Sequence, residues 1–302
     1  MDKNNLIYDA LIVGGSYAGL SAALGLGRAR RKVLVIDHGM PCNRQTPHSH
    51  NFLTQDGSTP AEISALAKAQ VSAYPTVQIM NDTVAGVSGE NMGFAVSLAD
   101  GGLVRAKKII FATGIQDLMP DIPGFKESWG ISVIHCPYCH GYEYSDQPTG
   151  LLLNGDAAFD FGQVIRNWTD QLTIFTNGVS TLSSAQTAEL QLLGIMLNEI
   201  PIKSVSHTDG HLTGVTLSNE DQVPLAAMYA RLPFKQHSQI PVDLGCGLNA
   251  LGYLEVDDMQ RTTVAGIFAA GDNASPFRSV AGAVAAGAKT AAMLNHDLIM
   301  GK

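Results

Sequence analysis

One stretch constrains the fold more than any other: LIYDALIVGGSYAGLSAALGLGRARRKVLVID, residues 6–37. An apolar run ends at Gly14, small and apolar residues follow at helical spacing, and a second apolar run ends at Asp37. Such runs, bounded by turn residues, read as strands buried on both faces, and buried strands joined by a helix are parallel. The stretch is therefore a β-α-β unit with a glycine-rich first turn. That turn, GGSYAG from Gly14 to Gly19, keeps the G-x-G-x-x-G spacing with Ser16 in place of the middle glycine. Gly14 supplies the tight turn and Gly19 lets helix pack closely on strand. Ser16 is small enough to leave the helix N-terminus open to a pyrophosphate. Asp37 ends the second strand about 20 residues on, where a carboxylate can accept a ribose hydroxyl.

A second strand-helix-strand candidate begins with TGLLLNG, continues through AAFDFGQVIRNW and returns in QLTIFTN. Nucleotide-fold-like units thus lie at residues 11–37 and 149–176, and the fold class is α/β with two Rossmann-like domains. Short strands are expected around Val77–Met80, Val84–Val87, Phe94–Leu98 and Lys108–Phe111. The segment IKSVSHTDGHLTGVTLSN carries a hairpin signal at Asp209-Gly210. Near the end, GIFAAGD reads as a strand closing on a Gly-Asp turn, followed by a helix of small residues. A carboxylate there, Asp272, ahead of a helix that admits a ligand closely, suits a ribityl chain and flavin ring.

Hydrophobic residues make up 45% of the 302 and charged residues 15%, which supplies a buried core and excludes disorder. A net charge of -8 argues against a nucleic-acid partner. The local run RARRK, Arg28 to Lys32, ends a helix, where cations suit the dipole. No secretory signal is legible, and the apolar run near the N-terminus is far shorter than the ~20 residues that span a bilayer. The Ala- and Gly-rich run from Val264 to Met293 is broken by Asp272, Asn273, Pro276 and Arg278, so no membrane partner is expected. A cytoplasmic setting follows as the default.

Four cysteines occur, and two of them sit in HCPYCHG, residues 135–141. These letters fit half a zinc site, a haem attachment or a redox dithiol. Haem attachment belongs with export, and zinc needs two further ligands, which the isolated Cys42 and Cys246 do not offer, although His135 and His140 could contribute. In a reducing compartment the dithiol is favoured. A CxxC at a helix start has its thiolate stabilised by unpaired N–H groups and the dipole.

Four motifs, LIVGGSYAGLSAAL (11–24), IIFATG (109–114), CPYCHG (136–141) and VAGIFAAGD (264–272), run in an order that resembles the low-molecular-weight thioredoxin reductases. These are FAD-dependent disulfide oxidoreductases with two nucleotide-binding domains. The resemblance spans nearly the whole chain. It implies FAD held by Gly14, Gly15, Ser16, Ala18, Gly19 and Asp37, with Asn51, Val84, Thr113, Gly114, Asp272 and the backbone at Val280 as further contacts. It implies a discontinuous FAD domain, residues 1–116 and 244–302, around an inserted NAD(P)H-binding-like domain, residues 117–243, that carries the CxxC. It also implies a homodimer, with Cys139 facing the flavin and Cys136 meeting the external partner, a thioredoxin-like protein or a small dithiol or disulfide. Members usually place an acid after the second cysteine. Here that place is held by His140, an imidazole suited to the same proton transfer at neutral pH, while His135 can tune the thiolate. The loop PHSHN, with His48 and His50, passes near the flavin in the family.

The second nucleotide turn departs from the family. Its letters are LNGDAA, Leu153 to Ala158, and the next strand ends in IFTNGVS with no arginine or lysine for a 2′-phosphate. NAD(P)H use is therefore open, with Arg166 as one alternative contact. Three functions are consistent with the letters: a thioredoxin reductase-like enzyme with a non-standard donor, an oxygen-dependent dithiol oxidase, and a non-catalytic flavin-bound redox sensor.

Overall fold

The computed structural model describes residues 6–302, which divide into two compact units; residues 1–5 of the expected first domain lie outside the described residues. The first unit runs to Arg44, resumes at Phe52–Gln116 and returns at Phe234–Lys302. The second comprises Gln45–Asn51 and Asp117–Pro233. Residues 234–243, assigned from sequence to the inserted domain, thus pack with the first unit.

In chain order the first unit contributes β1 (Ile7–Val13), α1 (Tyr17–Arg28), β2 (Val33–Asp37), α2 (Pro60–Ser72), β3 (Val77–Asn81), β4 (Val84–Ser88), β5 (Phe94–Leu98) and β6 (Leu103–Phe111). At the crossing stands β7 (Ile115–Asp117). The second unit follows with α3 (Phe125–Ser128), β8 (Val133–Ile134), α4 (Pro137–His140), β9 (Thr149–Leu152), α5 (Gly155–Ile165), β10 (Leu172–Phe175), α6 (Ser184–Leu192) and β11 (Met196–Asn198). It closes with β12 (Ile202–Thr208), β13 (His211–Leu217), β14 (Gln222–Val223) and β15 (Ala227–Ala230). The chain returns through β16 (Phe234–Gln236), α7 (Ile240–Asp243), β17 (Ile267–Ala269) and α8 (Val280–Met300).

The main sheet of the first unit has the order β3-β2-β1-β6-β5-β4, with β17 also paired to β6. Strands β3, β2, β1, β6 and β17 are parallel and β4–β5–β6 antiparallel. The chain leaves β1 for β2 on one side and reaches β6 on the other, so the carboxyl end of β1 is a switch point, where open α/β sheets bind ligands. The small residues of α1 and α8 have a packing reason. An added Cβ at Gly287 would run into the Ala18 carbonyl, one at Gly25 would meet Ala291 Cβ at 2.6 Å, and Ser21 Oγ donates to Val284 O at 2.7 Å. Larger side chains would push these helices apart.

The second unit has a parallel sheet, β11-β10-β9-β15-β8, and an antiparallel sheet, β12-β13-β14. The hairpin turns at Asp209 and Gly210, with φ of 50° and 83°, the left-handed pair that a two-residue turn requires. Helix α2, not anticipated from the letters, starts with a capping box in which Thr59 and Glu62 satisfy each other's backbone N–H groups. Among the described residues, no helix is long and apolar enough to cross a membrane.

Candidate active site

In the first unit, the glycine-rich turn leaves the end of β1 and opens α1. Gly14 adopts φ +104°, and an added Cβ would run into the Ala112 carbonyl. At Gly15 an added Cβ would lie 2.7 Å from Asp37 Cβ, and at Gly19 it would strike the Gly14 carbonyl. The backbone is thus laid bare by steric need. Ser16, at the N-cap of α1, makes no side-chain cap bond, and the first turn of α1 carries no acidic residue. The helix end keeps its N–H groups and positive dipole for an anion. Asp37, 3.5 Å from Lys68 Nζ, closes one side. On the other, the wholly buried Asn273 donates through Nδ2 to Phe111 O at 2.9 Å and lies 3.5 Å from Thr113 Oγ1. That clamp sets Thr113 and Gly114 beside the turn, and it holds Asp272, 3.8 Å from Arg278 Nε. Asn273 Oδ1 is buried with no hydrogen-bond partner among the described residues.

Of the residues expected to hold a dinucleotide, Gly14, Gly15, Ser16, Ala18, Gly19, Asp37, Thr113, Gly114 and Asp272 gather at this edge. Val84 begins β4 and is buried in the core that also contains Val13, Ile36 and Phe111. Val280 opens α8. Asn51 differs: it belongs to the second unit, at φ 58°. The bare turn, the uncapped helix end and the flanking carboxylates fit FAD.

In the second unit, Cys136 and Cys139 form a disulfide with Cα atoms 5.3 Å apart. The parallel strand β8 delivers His135 and Cys136 at its carboxyl end, and α4 begins with Pro137, whose fixed φ suits a first helical position. This helix is a single turn, so the dipole support expected for a thiolate is confined to that turn. Gly141 ends it with no room to spare, since an added Cβ would come within 2.9 Å of Trp168. Tyr138, between the cysteines, is 66% exposed and meets the Trp168 ring edge-on at 5.4 Å. The His135 ring lies 6.2 Å from Trp129, which stacks on Phe125.

His140 follows Cys139. Burial, and then the nearby His50, push its pKa down to about 4, so the ring is neutral at physiological pH. His50 reaches this site from the segment Gln45–Asn51, and its Nε2 lies 3.4 Å from Glu143 Oε1. His48 is exposed, its ring 6.4 Å from His50. Glu143 was not anticipated, although its place three residues after His140, one turn on, was a readable signal. Cys42 is exposed and Cys246 buried, and neither is in a disulfide. Among the described residues, no group of three or more His, Cys, Asp or Glu is arranged to hold a metal.

The second glycine turn is a different object from the first. Asn154 caps α5, its Oδ1 accepting from Gly155 N at 2.8 Å and Thr181 N at 2.9 Å, while its Nδ2 donates to Val179 O at 3.0 Å. Asp156 stands in the first turn of α5. Glu199 Oε1 accepts from Ser180 N at 2.6 Å. Backbone N–H groups of this turn and of the loop after β10 are engaged by Asn154 and Glu199, and the Asp156 carboxylate accepts from Gln186 Nε2 at 2.8 Å. Arg166 is at the C-cap of α5, the opposite end of the helix from this turn, and is paired with Asp170. It is not placed to replace the missing cation.

Residues 8–287 match the family described as pyridine nucleotide-disulphide oxidoreductase. The chain is 31% identical to the thioredoxin reductase tcpT of Claviceps purpurea, over 99% of this chain and 96% of that protein. It is 24% identical to the thioredoxin reductase of Bacillus subtilis, over 96% and 94% of the two chains. Among solved structures, an oxidoreductase from Agrobacterium tumefaciens superposes with a TM-score of 0.93 at 36% identity, covering 98% of this chain and all of the other.

Proposed function

The chain belongs to the pyridine nucleotide-disulphide oxidoreductase family and is a thioredoxin reductase-like, FAD-dependent enzyme, and from that premise we propose that it exchanges electrons between flavin and a dithiol or disulfide through Cys136 and Cys139. The observation that carries this reading is the Cys136–Cys139 disulfide at the carboxyl end of a parallel strand, with a neutral imidazole directly after it. When bound, FAD supplies a two-electron store that the disulfide can charge or discharge. Gly14, Gly15, Ser16, Ala18 and Gly19 would seat its pyrophosphate, Asp37 a ribose, and Thr113, Gly114 and Asp272 the far side of the dinucleotide. Val84 and Val280 are kept as outer contacts.

The protein's own chemistry is thiol exchange. A substrate thiol gives its proton to His140, and the resulting thiolate attacks the disulfide. The bond between Cys136 and Cys139 breaks, and Cys139 leaves as a thiolate. The second substrate thiol then displaces Cys136, so the substrate gains a disulfide and the enzyme a dithiol. Run backwards, the same steps reduce an external disulfide. His135, against Trp129, would tune the sulfur of Cys136.

The engaged second turn favours a further reading, in which NAD(P)H is not the electron donor. A 2′-phosphate there would meet Glu199 and Asp156 instead of an arginine, and a phosphate with no cationic partner is poorly held. Electrons would then enter from the substrate dithiol and leave to oxygen, which makes the enzyme a dithiol oxidase. We assign the external partner to the class of dithiols, small or thioredoxin-like, and the working species to a homodimer.

Anaerobic titration tests both statements. A dithiol should bleach the flavin absorbance of the purified protein, and admitted air should restore it with formation of peroxide. Millimolar NADPH or NADH should leave the band unchanged; bleaching by either would overturn the donor assignment. Cys139→Ser should abolish bleaching by dithiol while retaining FAD. Bleaching unchanged in that variant removes the exchange reading. A protein that does not turn over yet changes its assembly on reduction would be a sensor instead.

A further inference from the structure

The segment Gln45–Asn51 packs with the second unit, although the chain on both sides of it belongs to the first. Gln45 is fitted against Gly130, where an added Cβ would meet its Nε2 at 2.8 Å, and Ser49 is 5% exposed. These anchors, at the start of the segment and directly before His50, hold that residue against the second unit. Its Nε2 stands 3.4 Å from Glu143 Oε1, and it is near enough to His140 for charge on one ring to oppose charge on the other. Cys139, His140, His50 and Glu143 thus form a line from the disulfide to a carboxylate whose side chain is 36% exposed.

We propose that His50, held by Glu143, is a positioning residue that acts through His140, carrying protons between that imidazole and solvent during thiol exchange at Cys136–Cys139. The inference rests on the exchange reading given above. Its chemical need comes from the proton count. In the first step a substrate S–H loses its proton, one S–S bond forms, the Cys136–Cys139 bond breaks and Cys139 departs as a thiolate. One proton is therefore outstanding after the first step; the second substrate thiol loses another as Cys136 departs, and protonation of Cys139 and Cys136 as thiols takes up both. His140 is a ready acceptor but a poor store, because burial opposes its cation. His50 has a carboxylate to pair with once it carries the proton, and its charge then returns His140 to the neutral form. The two rings cannot hold protons together without repulsion, which makes transfer sequential. Among the described residues, the titratable groups around His50 include His48, His140 and Glu143, with Tyr144 and Tyr229 also within range of Glu143. Both phenols are pushed up, first by burial and then by Glu143, so they keep their protons and do not compete.

The test uses the full-length FAD-loaded protein, with dithiothreitol as probe and flavin bleaching followed anaerobically by stopped flow across the range in which imidazole titrates. His50→Gln should slow exchange about tenfold near neutral pH, less than the ~100-fold lost with a direct acid or base. It should also erase one inflection of the pH profile and regain rate with added imidazole. Glu143→Gln should slow exchange less than His50→Gln. FAD content should match the parent in both. The proposal is overturned by a His50→Gln rate within about twofold of the parent at every pH, the level of a neutral contact. It is equally overturned by a slower rate with the parent's pH profile and no imidazole rescue, which marks a packing role. A parent that fails to exchange removes this inference together with the function it rests on, whereas an active parent with an insensitive His50→Gln removes the relay alone.

Discussion

His140 is withdrawn from water and faces a second imidazole, and both effects disfavour its cation. The sign for stability follows. Its folded-state pKa of about 4 lies below the ordinary value near 6.5, so an unfolded chain takes up the proton more readily. The contribution is complete above about pH 6.5 and is lost as the pH falls through that window toward 4. His140→Asn should flatten the decline, read as a urea midpoint that varies less with pH, and the parent's ring resonances should titrate near 4. Gly19 offers a second measurement at this scale. Because an added Cβ would strike the Gly14 carbonyl, Gly19→Ala should cost about 1–3 kcal/mol in denaturant unfolding and lower the FAD retained on purification. Both residues were legible in the letters, His140 by its place after Cys139 and Gly19 by motif spacing. Glu143 and His50 were not joined there, because their contact depends on a loop returning to a different unit.

Helices α1 and α5 sit at equivalent places in two β-α-β units, yet one N-terminus is bare and the other is sealed. Ser16 makes no cap bond, whereas Asn154 caps its own helix and ties it to the loop at Val179 and Thr181. Asn154→Ala should lower the stability of the second unit by about 1 kcal/mol, the usual worth of such a cap. It should not create NADPH affinity in calorimetry, since Asp156 and Glu199 remain. Only a variant that also neutralises both acids, Asp156→Asn with Glu199→Gln, is expected to gain any. NADPH binding by the single variant would show that the cap alone excludes the cofactor. The lack of arginines after β10 is legible in the letters, whereas the Glu199–Ser180 contact is not, because it depends on the parallel pairing of β10 and β11. Strands and helices with strong periodicity, such as β1, α1, β2 and α8, were readable because burial on both faces leaves a continuous apolar run. The capping box of α2 was present in the letters, but its weakly amphipathic face hid the helix.

Across the whole molecule, each unit has its own apolar core, and the first is also tied by a buried ionic network. Asp297, 4% exposed on α8, accepts from Arg261 Nε and Nη2 at 2.8 Å each, and the fully buried Lys108 of β6 donates from Nζ to Asn91 Oδ1 at 2.6 Å and to the Lys302 carbonyl. Arg261 hydrogen bonds hold the Asp297 carboxyl below the usual range against the opposing effect of burial. That stabilisation is present above the ordinary carboxylate pKa and is lost as acid protonates Asp297. Asp297→Ala should cost about 3 kcal/mol and lower the first unit's unfolding midpoint, leaving a transition assigned to the second unit in place. None of this network has a sequence signature, since its members are far apart in the chain. The excursion of Gln45–Asn51 has a consequence for inheritance. A recombination event, or a designer, that swaps 117–233 between relatives as one cassette would transplant both redox sulfurs and leave the histidine at position 50 behind in the recipient, so hybrids of this kind should work only where donor and recipient have matched that loop.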